Sequence, residues 1–203
     1  MLGSSLAVAL IVIMVSALLI REHTSALQAA KRSTTNIAQL INADVLRNVE
    51  LYDLALQGLI AATQRTDLSK VSADIRHLVQ FERSAAAPFK GEVLLLDANG
   101  SVVADSSTLK PTPRSFADRD FFLAHKNATQ AGLFISRPFK IQCNCEQVWR
   151  IAFSRRVIGA DGEFAGVAVA TMRLAYFDQL FNSLTIGNSS SVNLLNDHGI
   201  LLA

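Results

Sequence analysis

Along the first 64 residues the apolar positions form two different patterns. Residues 2–20, "LGSSLAVALIVIMVSALLI", hold no charge and are just long enough to cross a bilayer as a helix. From residue 22 the pattern becomes a stripe. Ile37, Leu40, Ile41, Val45, Val49, Tyr52, Leu56, Leu59 and Ile60 recur every three or four positions with polar residues between them. No proline interrupts residues 22–64, so the spacing predicts one long helix continuous with the apolar segment. A second helix is predicted over 69–83, after "TDLS", with Asp67 or Ser69 as its cap.

After residue 90 the period changes to that of strands. "GEVLLLDANGSVVADS" reads as strand, Asn-Gly turn and strand. "GLFIS", "FKIQ", "VWRIAFSRRVI" and "EFAGVAVATMRL" are rich in β-formers, with Asp161-Gly162 turning between the last two, and "AYFDQLFNSL" returns to helix. The fold class is therefore α+β: an apolar helix, a long stalk helix and an antiparallel sheet flanked by helices.

The chain ends on an echo of its first hairpin. "EVLLLDANGSVVA" (92–104) and "SVNLLNDHGILLA" (191–203) match at Val93/Val192, Leu95/Leu194, Leu96/Leu195, Gly100/Gly199 and Ala104/Ala203, a constant offset of 192 − 93 = 99 residues. Similarity at a fixed, domain-sized offset indicates a duplicated module. The second copy reaches only its first hairpin, which leads us to expect a fragment of something longer.

Composition adds little to this picture. A net charge of +2, with no basic run interleaved with aromatics, gives no reason to expect nucleic acid. The apolar segment lacks the basic n-region and small-x-small site of a cleaved signal, so it is read as a retained anchor. Arg21, Lys31 and Arg32 after it would place the bulk of the chain in the cytoplasm by the positive-inside rule, unless basic residues precede Met1.

Candidate chemistry centres on "SFADRDFFLAHKN" (115–127). Ser115 and Asp118 have the spacing of a capping box, and Asp118, Asp120, His125 and Lys126 suit the helix dipole. Phe121, Phe122 and His125 share one helix side, so at least one Phe belongs to the core. Nothing in capping requires Arg119. Trp149, Ile151 and Phe153 alternate along a strand, with Arg150 and Ser154 on or near the other face; "SRR" (154–156) reads as a solvated strand end. Cys143 and Cys145 stand two apart as "CNC", where a bridge would be strained, and no further ligand lies nearby for a closed zinc site. The four histidines share no ligand spacing, and no GxSxG, Walker A, HExxH or GxGxxG occurs. No catalytic residue, metal site or cofactor is expected.

The order of elements, with "DRDFFLAHKN", "LFISRPF", "FSRRVIGADGEFAGVAVATMRLAYFDQL" and "VNLLNDHGILLA", resembles the double-Cache (PAS-like) extracytoplasmic sensor domains of bacterial transmembrane receptors. The resemblance implies a transmembrane helix at 1–21, stalk and flanking helices at 22–86, a membrane-distal Cache lobe at 87–186 and the start of a second lobe at 187–203. It implies a periplasmic small-molecule sensor in the inner membrane, with residues after about 21 outside. The effector would be a diguanylate cyclase of the GGDEF type, with a histidine kinase or chemoreceptor as alternatives. A homodimer through the stalk helices is the natural assembly.

Amino-acid sensors of this family carry Arg-x-Trp-Tyr, then Tyr-x-Asp, as an aromatic and acidic cage for an ammonium group. Here the positions are Arg119, Phe121 and Phe122, then Phe139 and Ile141. The surviving charges, Arg119 and Lys140 with Arg137 near, suit an anion or carboxylate better than an amine. The expected ligand-binding set is Arg119, Phe121, Phe122, His125, Phe139, Lys140 and Trp149. A protein-interaction domain filled by its own Phe side chains is the competing reading.

Overall fold

The computed structural model describes residues 2–82, 90–127, 132–143, 146–182, 191–195 and 199–202. The side chains of residues 2–8, 66, 69, 90, 141–143, 146 and 147 lie outside that description, as do the proposed lobe boundaries near 86 and 186. The chain divides into two compact units, residues 1–47 and 48–203.

Helix α1 spans Leu2–Thr63. Within the first unit, Leu10 to Val15 and Leu18 to Ile20 are all exposed, and from Ala9 the helix is long and apolar enough to cross a membrane. Such a run is stable where hydrocarbon rather than water covers it. Leu40 and Leu46 are also exposed in this unit.

In the second unit the stripe on α1 turns inward. Tyr52, Ala55, Leu56, Leu59 and Ala62 are buried at spacings of three and four, the period that keeps side chains on one helix face. A 3₁₀ turn at Thr66–Lys70 follows, then helix α2 at Ala73–Phe81. The cap of α2 is Ser72, whose Oγ accepts from the Ile75 amide at 3.4 Å, and not Asp67 or Ser69. Asp67 is held in an ion pair with Arg65 (2.7 Å), which keeps it in the preceding turn.

The sheet contains β1 (Lys90–Asp97), β2 (Val102–Asp105), β3 (Phe134–Ile135), β4 (Phe139–Cys143), β5 (Glu146–Ile158) and β6 (Phe164–Arg173). Its order is β2-β1-β6-β5-β3, with β4 also pairing β5 and every pair antiparallel. Helix α3 (Asp120–Lys126) lies between β2 and β3 in sequence, and α4 (Ala175–Asn182) follows β6.

Both sheet faces are buried. On one, Phe153 of β5 stacks on Tyr52 of α1 and the Asn48 amide donates to the Tyr176 hydroxyl of α4 at 2.7 Å. On the other, Leu94, Leu96, Ala152, Val167 and Val169 pack with Phe116, Phe121 and Phe122 of the α3 segment. The "SRR" stretch is accordingly not solvated. Ser154 is fully buried, Arg155 pairs with Asp53, and the Arg156 guanidinium lies 4.7 Å from the Phe164 ring centroid.

The first hairpin turns at Gly100, whose φ of 83° is in the left-handed region that favours glycine. The described residues of the echo at the end of the chain repeat that hairpin's pairing. Leu96 faces Val102 in the first hairpin and Leu195 faces Leu201 in the second, each pair shifted by 99, and Gly199 has φ 74°.

Candidate functional site

The α3 segment is held to the first hairpin before its helix begins. The Phe116 amide donates to the Gly100 carbonyl (2.8 Å), and Ser115 bridges Ser101. This is why the expected Ser115–Asp118 capping box does not form. Ser115 Oγ instead accepts from the Ala117 amide at 3.4 Å, and the helix starts at Asp120. Asp120 takes the Phe121 amide on one oxygen (2.8 Å) and the Arg137 amide on the other (2.9 Å), which ties α3 to the start of β4.

Arg119 occupies the cap position of α3 in extended geometry, with no side-chain cap bond. Its guanidinium lies 5.5 Å from the centroid of the Phe139 ring, a cation–π distance, and it forms no ion pair among the described residues. Phe121 packs between Phe116 (5.9 Å) and Phe139 (5.8 Å). Arg119, Phe121 and Phe139 are thus one contiguous group: a half-exposed cation on an aromatic floor.

The other expected residues separate from that group. Phe122 is fully buried edge-on to Phe164 at 5.8 Å, so both phenylalanines of the motif are core. His125 is 3% exposed, with Nε2 3.0 Å from Ser154 Oγ and its ring edge-on to Phe134. Burial pushes its imidazole below the ordinary histidine range, with Arg156 and Arg155 adding to the shift. His125 is therefore a buried core residue and not an exposed one at the helix end, whereas Lys126 is exposed.

Lys140 lies 4.8 Å above the Trp149 ring, and Trp149 is half-exposed. The two are cross-strand partners, while the Phe139↔Arg150 pair is next in the ladder. Successive residues alternate faces, so Lys140 and Trp149 fall on the Tyr52 side of the sheet, opposite Arg119. Arg137 is exposed and contributes its amide to Asp120.

Three polar residues not in the expected set line the α3 face. Arg114 donates to Glu92 (2.9 Å) and Asp105 (2.8 Å). Arg150 is 5% exposed, and Thr171 is 2% exposed. A lone hydroxyl in the apolar run "GVAVATM" was the available signal for Thr171. Arg150 was visible as the residue opposite in phase to Trp149 and Ile151, but its burial depends on the second face being covered. No group of three His, Cys, Asp or Glu side chains among the described residues could hold a metal ion. The Cys143–Cys145 question lies outside the described residues.

Comparison with known proteins agrees with this architecture. The Cache domain family model matches residues 16–203. The extracellular domain of rpHK1S-Z16, assigned as a histidine kinase, is similar at 26% identity and TM-score 0.68, covering 86% of this chain and 71% of its own. Methyl-accepting chemotaxis protein X is similar in fold at 11% identity and TM-score 0.64, covering 83% and 71%. The ligand-binding domain of Pseudomonas fluorescens chemoreceptor CtaA, solved with L-serine, is similar in fold at 16% identity and TM-score 0.55, covering 82% and 66%. No curated protein sequence matches.

Proposed function

The chain belongs to the Cache domain family, whose members are extracytoplasmic sensor domains, and from that premise we propose that it senses a small anionic molecule on the α3 face of its sheet. The observation that carries this reading is Arg119, whose guanidinium rests over Phe139 with no carboxylate paired to it among the described residues. Such a group gains most from a ligand carboxylate or other oxyanion, which a guanidinium can grip through parallel N–H bonds. An amino acid, such as the L-serine of the CtaA structure, would also bring an ammonium group. At the cage positions this chain supplies Phe121, Phe122 and Phe139 in place of Trp, Tyr and Tyr, and Ile141 in place of the Asp, so the carboxylate that would meet an ammonium group is absent from that position.

On this reading residues 1–21 anchor the protein in the inner membrane and the rest lies in the periplasm. Residues 187–203 begin a second lobe. Ligand state passes along α1 to a cytoplasmic effector, a diguanylate cyclase by the style of the motifs, with a histidine kinase as the alternative suggested by the rpHK1S-Z16 likeness. Exposed Leu40 and Leu46 support pairing of two copies through α1. The packing of Phe121 against Phe139 favours one other reading, a Cache domain whose site is filled by its own side chains. The test is calorimetric titration of the full chain in nanodiscs with a panel of carboxylates, inorganic oxyanions and amines. We expect anions to bind the wild type and to bind Arg119→Ala at least about tenfold more weakly. Equal binding to both, or none to the wild type, excludes this site.

A further inference from the structure

Of the described histidines only His125 is buried, and the Arg119 site makes no use of it. It sits in the last turn of α3, where β5 grips it at two points. Its Nε2 lies 3.0 Å from Ser154 Oγ, and its backbone carbonyl accepts from the Arg156 guanidinium. Its ring stands edge-on to Phe134 of β3, with centroids 6.2 Å apart. The charges that act on the imidazole are those of Arg156 and Arg155, both on β5. On its own helix, Lys126 lies over the Phe122 ring and Asp120 is engaged with the Phe121 and Arg137 amides. The two residues of β3 carry no charge, and the one charged residue of β6, Arg173, pairs with Arg150 rather than Ser154.

A neutral imidazole fits this pocket in either tautomer, because the Ser154 hydroxyl both donates and accepts. A protonated one adds a positive charge beside two guanidinium groups, out of reach of bulk water. The least disruptive relief is local. Helix α3 has only seven residues, and its start is held separately, by Asp120 to the Arg137 amide and by Phe121 and Phe122 in the core. Its last turn can therefore swing out while its first turn stays in place.

The strand that holds this turn is also held from the opposite face. Four consecutive residues of β5 are gripped alternately: Phe153 by Tyr52 of α1, Ser154 by His125, Arg155 by Asp53 of α1, and Arg156 by His125. We infer that His125 is a proton-operated latch: uptake of one proton frees the last turn of α3 from β5, so the domain registers the acidity of its surroundings through a strand segment that α1 also grips, with no small-molecule ligand required.

The test is hydrogen–deuterium exchange of the full chain in nanodiscs at pH 7.5 and pH 5.5, without added anion and corrected for the pH dependence of intrinsic exchange. A released imidazole titrates near the ordinary 6.5, so one pH unit lower, proton uptake favours the open state by up to about tenfold. Amides of residues 123–127 and 153–156 are expected to lose protection by several-fold, up to about tenfold, at pH 5.5, with α4 unchanged. His125→Gln, which stays neutral, is expected to keep its protection. Equal protection of the wild type at both pH values overturns the latch. So does an equal loss in His125→Gln, or a loss shared by α4, which would be general loosening. Should His125→Gln fail to fold, the wild type followed through intermediate pH carries the test. A one-proton loss setting in between about pH 6.5 and 5.5 supports the latch, and an onset only below about pH 5, where carboxylates titrate, overturns it. Every arm is free of anion, so failure here leaves the Arg119 site standing.

Discussion

The ring of Tyr52, on α1, lies stacked on the ring of Phe153, on β5, with centroids 4.6 Å apart and planes 15° from parallel. Both side chains are essentially inaccessible to water. The contact fastens the last turns of α1 to the sheet face opposite the candidate site. Tyr52→Ala should cost about 3 kcal/mol of unfolding free energy, the scale for emptying a buried aromatic position. Urea unfolding followed by circular dichroism measures it; a loss below about 1 kcal/mol would mean that the stack is not a principal link between helix and sheet.

One residue further on, Asp53 accepts hydrogen bonds from Arg155, the second at 2.9 Å, and from Gln57 at 2.8 Å. The bond from Arg155 is the main cause holding the Asp53 carboxyl below its usual range. Its stabilising contribution is therefore present above the unfolded-state value near 3.8 and is lost as pH falls through the lower folded-state value. Asp53→Asn should lose about 1–2 kcal/mol at pH 7, and the gap to wild type should close below about pH 4. A gap constant from pH 7 to pH 3 would show that the ionised pair contributes nothing.

His125 supplies a second pH dependence at a different acidity. Its folded-state pKa lies below the ordinary 6.5, chiefly through burial, with the Arg156 and Arg155 charges adding to the shift and the Ser154 contact opposing it. The unfolded chain thus takes up the proton first as pH falls. The stability it confers is present above about 6.5 and declines as pH drops through the folded-state value. His125→Gln, which can keep a hydrogen bond to Ser154, should lack this part of the decline between pH 7.5 and 5. Matching pH profiles for wild type and variant would mean that His125 titrates normally.

The two hairpins offer a matched comparison. Gly100 and Gly199 sit 99 residues apart with φ of 83° and 74°. A Cβ at Gly100 would lie 2.7 Å from the Ala117 backbone, while no described residue lies within 4 Å of one at Gly199. Gly199→Ala should cost about 1 kcal/mol for the left-handed backbone alone. Gly100→Ala should cost clearly more, because it also pushes away the segment that carries Arg119. Equal losses in thermal unfolding would show that the contact with Ala117 yields freely.

Much of this architecture was legible because local chemistry and tertiary packing agree. The end of the three- and four-residue stripe, at Tyr52, Leu56 and Leu59, lies on the buried face of α1, while Leu40 earlier in the stripe is exposed. Asn99-Gly100 turns the first hairpin, and the 99-residue echo repeats its register. Capping was misjudged where a tertiary contact competes with a local one. Ser115 is drawn to Ser101 and away from the helix, and Asp67 to Arg65. The site was half legible. Arg119 stands out because nothing local requires it, and the motif led to Phe121 and Phe139. Lys140 was grouped with Arg119 by nearness in sequence, although strand alternation puts it across the sheet. Arg150 was passed over because a charged residue out of phase with an apolar strand face normally meets solvent, and this sheet is covered on both sides.

The account rests on the α3 face being where a small anion binds. Hydrogen–deuterium exchange on the full chain in nanodiscs, with and without a saturating mixture of small carboxylates, tests that most directly. The account predicts slower exchange concentrated in α3, β4 and the adjoining start of β5, with α4 and the Tyr52 turns of α1 little changed. Unchanged exchange throughout, or protection confined to the α4 side of the sheet, would contradict it.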